Sequence, residues 1–180
     1  MLLGVLIDNL IKCPWHGASF DITTGACDIG PALNSLETYN IYMEDDKLFV
    51  DLPTNIKYNI EAKMSKRNKD DKRKYVIIGG GPAALSCAET LRQNNYTGEL
   101  TLISEDEYLP YNRTSLTKEI LASSDIKDIL LRNKEFYDKY DIKFVSNSKV
   151  VVINEKETKL RLSNGVILVI IILINSTLFS

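Results

Sequence analysis

Histidine is nearly missing: His16 is the only one among 180 residues. A metal or catalytic site that needs two imidazoles therefore cannot be completed within one copy of the chain. Cysteine is scarce and odd in number, with Cys13, Cys27 and Cys87 at no regular spacing. That argues against a disulfide framework and for a reducing compartment. Neither charge sign dominates. The 22 Lys and Arg stand against 24 Asp and Glu, a formal charge of -2, which gives no general pull toward nucleic acid or an anionic membrane. Long apolar runs are lacking too. Val166 to Ile174 is nine apolar residues, about half of the roughly 20 that span a bilayer, so a buried strand is expected there and no membrane span. The opening MLLGVLIDNLIK has no basic residue ahead of its apolar run and carries Asp8 inside it. It reads poorly as a signal peptide, and with no targeting signal a cytoplasmic or mitochondrial location is expected.

What is there divides in three. Residues 1–53 hold short β-like runs (LLGVLI, LETYNIYM, KLFVDL) between turn signals at Asp8-Asn9, Thr24-Gly25, Gly30-Pro31 and Asp45-Asp46, the pattern of a small β unit. Residues 54–73 form a charged stretch. From Glu61 through KMSKRNKDDKRK, seven Lys or Arg face three acids with few apolar residues, which reads as a solvated linker. A nucleic-acid patch would interleave aromatics, and none is present. Residues 74–180 change to strand, Gly-rich turn, helix, strand (KYVII, GGGPAA, LSCAETLRQNN, LTLIS), the opening of a doubly wound α/β domain. A second helix is expected near Lys127 to Tyr140. IKFV and the alternating KVVVINEKETKLRLSNG follow as a strand and a hairpin or meander.

Gly79, Gly81 and Ala84 make a G-x-G-x-x-A fingerprint between that strand and helix. The first Gly permits the tight turn, the second lets a pyrophosphate approach the backbone, and the small third residue lets the helix pack on the strand. Pro82 suits the first helical turn, where its missing N–H costs nothing. The helix start then offers free N–H groups to phosphate. The next strand ends at Ser104-Glu105-Asp106, where Glu105 is placed to accept hydrogen bonds from a ribose diol. Cys87, on the helix among Ala84, Ala88 and Leu91, reads as a small buried hydrophobe rather than a redox thiol. The chemistry of these residues specifies a dinucleotide and no more.

The segment EDEYLPYNRTSLTKE resembles the E-x-x-x-x-P-Y-x-R-P-x-L-S-K stretch of flavoproteins related to apoptosis-inducing factor and to ferredoxin reductases of oxygenase systems. The resemblance implies FAD at this first fingerprint, with Glu105 on the adenosine ribose and Arg113 and Lys118 approaching the cofactor. Thr114 stands where the family has Pro, and Thr117 where it has Ser. The second change keeps a hydroxyl, so the first is the one that could loosen the loop.

One branch of that family carries a Rieske domain, and CPWHGASFDITTG resembles the second half of its cluster-binding motif. A Rieske centre holds one iron by two Cys and the other by two His. Cys13 and His16 match the Cys-x-x-His box, with Trp15 and Gly17 as in family members, and GVLIDNLIK resembles the strand between the boxes. The Cys-x-His box is not in this sequence, and Cys27 cannot supply the second histidine. Zinc would need four N or S ligands in a closed tetrahedron, and no second pair has suitable spacing. At the other end, Ile170-Ile171 stands where the family has Tyr-Asp, and Ser176-Thr177-Leu178 where it has Ala-Thr-Gly. Leu178 replaces a glycine suited to close ligand approach.

The expectation is thus a mixed fold, a partial small β Rieske-like domain followed by a partial α/β FAD-binding, Rossmann-like domain. By resemblance it is a fragment of a Rieske iron-sulfur, FAD-dependent NAD(P)H oxidoreductase, passing electrons from NAD(P)H through FAD to a 2Fe-2S cluster and then to an unspecified acceptor. The cluster is not expected to assemble in this chain, nor the chain alone to turn over. A non-catalytic dinucleotide-binding remnant and a non-functional truncated product are the alternatives. Purified chain should contain neither iron nor acid-labile sulfide in stoichiometric amount, because one imidazole cannot satisfy a two-histidine iron; colorimetric assay of both decides this, and two of each per chain would refute it.

Overall fold

The computed structural model describes residues 3–56, 60–116, 125–154, 156–169 and 172–175. The chain forms two compact units, Met1–Lys63 and Met64–Ser180. In the first, β1 (Val5–Ile7), β2 (Leu10–Lys12), β3 (Ser19–Asp21) and β4 (Cys27–Ile29) make an antiparallel sheet in chain order. Asp21 organises the turn after β3. Its carboxylate accepts from the Thr23 and Thr24 amides at 3.0 and 2.7 Å and from the Asn9 side chain at 2.8 Å, and these donors, Thr24 first, hold its pKa below the usual carboxylate value. A separate hairpin pairs β5 (Ile41–Glu44) with β6 (Lys47–Val50). Asp45 and Asp46 both take positive φ, 50° and 57°, as a two-residue hairpin turn requires. Alternation places Ile41, Met43, Leu48 and Val50 on one face of this hairpin, all exposed.

The second unit has three layers. Its middle is a parallel sheet of β7 (Lys74–Ile78), β8 (Glu99–Ile103), β9 (Ile142–Val145) and β13 (Ile172–Asn175), in the order β13-β7-β8-β9. Two helices, α1 (Pro82–Gln93) and α2 (Lys134–Lys139), cover one face. An antiparallel meander of β10 (Val150–Asn154), β11 (Lys159–Leu162) and β12 (Ile167–Val169) covers the other. Burial on both faces explains the nearly continuous apolar strands. Ile77, Leu100 and Leu102 pack under α1 and α2, while Val76 and Ile103 meet Leu160 and Leu162 of the meander. On α1 the buried stripe Ala84, Leu85, Ala88, Glu89 and Arg92 follows helical spacing.

Two of those stripe residues are charged. Glu89 is buried with Arg132, whose Nε and Nη2 reach its two carboxylate oxygens at 2.9 and 3.0 Å, a bidentate pair that replaces the water both groups lose. Arg92 is fully buried and is bound by main-chain carbonyls: Nε to Tyr140 O, Nη1 to Tyr96 O and Gly98 O, and Nη2 to Asp141 O, at 2.6 to 3.0 Å. Tyr96 stacks on Tyr75 at 4.2 Å, and its hydroxyl donates to the carbonyl of Arg73 or of Glu99, each 3.0 Å away; burial pushes its pKa up to about 12.

Three expectations change. The apolar run 166–174 is not one buried strand, because β12 and β13 belong to different sheets, with Val166 and Ile167 46% and 60% exposed. The helix expected over 127–140 is divided into a 3-10 turn (Ile126–Ile129) and α2, since Leu131 N is drawn to Pro110 O and Leu130 bridges Tyr111. The second half of the charged stretch is bound: Ser65 and Asn68 amides donate to Arg92 O and Thr97 O, and Arg67 pairs with Glu99 at 3.0 Å. Among the described residues no helix is long and apolar enough to cross a membrane. Arg92→Met would strand buried carbonyls at roughly 1–3 kcal/mol each, so we expect a loss of about 3 kcal/mol or more. Arg92→Lys should recover little of it, having no fork to span separate acceptors. Urea unfolding checks both, and an unchanged midpoint would contradict the assignment.

Candidate functional site

The glycine turn lies where β7 gives way to α1. Gly79 has φ +134°, open to glycine almost alone, and its N–H donates to Ile103 O at 2.8 Å, which fixes the turn to the end of β8. Gly81 is the N-cap of α1, with φ −99° and ψ −176° and no side-chain cap, and Pro82 begins the helix. Leu85 N bonds back to Gly81 O at 3.2 Å, so the amides of Ala83 and Ala84 belong to the first turn that lacks intrahelical partners. A Cβ added at Gly81 would meet nothing within 4 Å; the space beside it is open to a ligand. Ala84 is fully buried against the sheet. Gly80 carries no role in the fingerprint, yet a Cβ there would collide with Ser104 Oγ. The GGG run alone signals this close approach.

Glu105 follows β8 at the same edge. Its side chain is exposed and accepts from Lys149 Nζ at 3.1 Å. Gly79, Glu105 and Lys149 line one cleft of about 240 Å³ with apolar walls from Ile78, Ile103, Val150 and Ile153. Arg113 stands on a 3-10 turn (Arg113–Ser115), donates to Asp106 at 3.2 Å and lies over the Tyr111 ring. The fingerprint residues and Glu105 thus share one edge of the sheet, while Arg113 is engaged with Asp106. Lys118, Thr117, the Ile170-Ile171 pair and Ser176 to Leu178 lie outside the described residues. A larger hollow of about 510 Å³, between Lys74, Glu99, Lys143 and the β11–β12 side, contains no motif residue.

In the first unit, Cys13 and His16 border a shallow cleft with Ala18, Phe20, Pro31, Ala32 and Leu36. The turn that carries them is closed by Gly17 N to Cys13 O at 3.0 Å and Cys13 N to Ala18 O at 2.7 Å. Trp15 is 78% exposed on its tip. Cys27 points to the carbonyls of Ile29 and Ala32, and burial pushes its thiol pKa up, against thiolate formation. Among the described residues no group of three or more His, Cys, Asp or Glu could hold a metal ion. His16 is the one histidine of the sequence, so Cys13 and His16 supply half of the two-Cys, two-His set of a 2Fe-2S site.

These two sites coincide with two recognised families. Residues 73–167 match the pyridine nucleotide-disulphide oxidoreductase family, and residues 2–40 match the Rieske [2Fe-2S] domain. Apoptosis-inducing factor 3 of Mus musculus is 31% identical over 172 residues, 92% of this chain and 28% of that protein. The ferredoxin–NAD(+) reductase subunit of the benzene 1,2-dioxygenase system of Pseudomonas putida is 33% identical over 89 residues, 49% of this chain and 22% of that one. The chain thus spans 28% or less of the length of these relatives. Among solved structures, the ferredoxin reductase of the CYP199A2 system from Rhodopseudomonas palustris is similar with a TM-score of 0.54 and 31% identity, covering 58% of this chain and 26% of that one. The covalent putidaredoxin reductase–putidaredoxin complex gives a TM-score of 0.56 at 26% identity, over 59% and 26% of the two chains. With just over half of its residues in that match, the chain belongs to the pyridine nucleotide-disulphide oxidoreductase family, with a Rieske-type segment ahead of the matched region.

Proposed function

We propose that this chain is the Rieske-type and FAD-binding portion of an NAD(P)H oxidoreductase, with the β7–α1 turn as the seat of the FAD diphosphate. The single observation that carries this reading is the open space at Gly81. A diphosphate needs backbone amides within hydrogen-bonding reach, and a side chain there would keep it out. Gly79 and Gly81 shape the turn, Ala84 lets α1 sit close on the sheet, and the amides of the first helical turn bind phosphate oxygens. Glu105 accepts the ribose hydroxyls. Arg113 and Lys118 are assigned to the cofactor by family resemblance, and Arg113 would exchange Asp106 for it. When bound, such a group supplies hydride acceptance from a nicotinamide and release of single electrons.

The relatives named as ferredoxin–NAD(+) reductases make NADH the donor class to test and an iron-sulfur protein the acceptor class. Cys13 and His16 are assigned as half of a Rieske site, one Cys and one His of the two of each that such a centre needs. A cytoplasmic or mitochondrial location remains the working assignment. Leu178, standing where the family has a glycine suited to close ligand approach, favours a second reading, in which the chain holds a dinucleotide without turnover. Dye reduction by NADH in FAD-loaded protein separates the two.

Gly81→Val should keep the fold, because its backbone is in the extended region that β-branched residues favour and its Cβ meets nothing within 4 Å. We expect FAD and ADP binding to fall at least a hundredfold, as a loss of direct backbone–phosphate contact of about 3 kcal/mol implies. Calorimetric titration measures it, with circular dichroism confirming the fold. Equal affinity in the folded variant would remove the diphosphate from this turn.

A further inference from the structure

Lys149 opens the KVVVINEKETKLRLSNG stretch and belongs to no cofactor-binding motif, yet the fold puts its side chain on Glu105. The turn between β9 and β10 is tied to the loop after β8 by two main-chain bonds, Ser148 N to Ser104 O at 2.8 Å and Asn147 N to Asp106 O at 3.1 Å. Asn147 takes φ +51°, a left-handed conformation that asparagine tolerates. Ser148 is buried, and Ser163 N donates to Lys149 O at 2.8 Å. The Lys149 backbone is therefore held on both sides, at the lip of the cleft it shares with Gly79 and Glu105. Its Nζ is 3.1 Å from Glu105 Oε1, with the two side chains 60% and 68% exposed. An ion pair this exposed adds little to folding stability, so so much fixed backbone beneath it suggests a different use.

We propose that Lys149 is a positioning residue for the nucleotide: its ammonium holds the Glu105 carboxylate in the orientation from which the remaining lone pairs accept the two ribose hydroxyls of an adenosine diphosphate moiety. This rests on the assignment of Glu105 and the glycine turn made above. A carboxylate has acceptor sites for more than one donor pair, so Lys149 and a diol can be bound together. Without the cation, Glu105 is a free rotor, and ordering it on each binding event costs affinity. The contribution is thus confined to ligands that carry the hydroxyls.

The test is calorimetric titration of the full chain with ADP and with 2′,3′-dideoxy-ADP. Lys149→Met should weaken ADP about fivefold to tenfold and leave dideoxy-ADP unchanged, and Lys149→Arg should restore most of the ADP affinity, magnitudes typical of coupling between touching residues. In a Glu105→Gln background, Lys149→Met should have no further effect. The inference is overturned if Lys149→Met leaves ADP affinity unchanged while Glu105→Gln lowers it, or if it weakens both ligands alike, which would mark a general charge effect. If Glu105→Gln and Gly81→Val both leave ADP binding intact, or the unaltered chain binds none, the underlying site assignment fails and the role of Lys149 with it.

Discussion

The second unit depends on one buried arginine. Arg92 reaches from the last turn of α1 to the carbonyls of Tyr96 and Gly98, just before β8, and of Tyr140 and Asp141, just before β9. A guanidinium offers five donors in a rigid plane, so the segments that supply the acceptors are held at fixed spacing. Ser65 adds to the knot from the N-terminal side, its hydroxyl donating to the carbonyl of Arg92 or of Tyr96, each 3.0 Å away. This fastening is at the start of the parallel strands. The glycine turn, Glu105 and the 146–149 turn are at their ends.

That separation has a physical consequence. Strands fixed in register at one end deliver their other ends in register, five and four residues on for β8 and β9. The loops there can then be shaped for a ligand rather than for stability. Gly79 to Gly81 has no side chain to pack, and its position is set by Gly79 N on Ile103 O and by the close fit of Gly80 on Ser104. Glu105, Arg113 and Lys149 are all exposed, so none of them is fixed by the core. Stability and binding are thus assigned to different residues, and a change at the turn can be tested without dissolving the sheet.

The fold was legible where local chemistry decides it. KYVII, LTLIS and IKFV became β7, β8 and β9, and Asp45-Asp46 made the hairpin turn, because buried strands and left-handed turns each demand particular residue types. What stayed hidden depends on partners distant in sequence. Arg92 reads as one more surface charge on a helix until Tyr140 and Asp141, nearly fifty residues on, supply carbonyls. Lys149 is an ordinary lysine until the 146–149 turn folds onto Ser104 and Asp106. The run Val166 to Ile174 carries no periodicity, being apolar throughout, so nothing in it marks where one sheet ends and the next begins.

The first unit poses the opposite problem, since its motif is legible and its core is slight. Ala18, Ser19 and Phe20 are its buried side chains among the described residues, while Val5, Leu6 and Ile7 of β1 and Ile41, Met43, Leu48 and Val50 of the hairpin are exposed. A β unit with so little buried area draws limited stability from apolar packing. The turn bearing Cys13 and His16 is nonetheless formed, because it is closed by its own main-chain bonds and by the β2–β3 pairing. The geometry of this Cys-x-x-His turn is thus set by backbone hydrogen bonds. A Rieske centre draws on two Cys and two His together, and Cys13 and His16 have the residue types and spacing of one such pair.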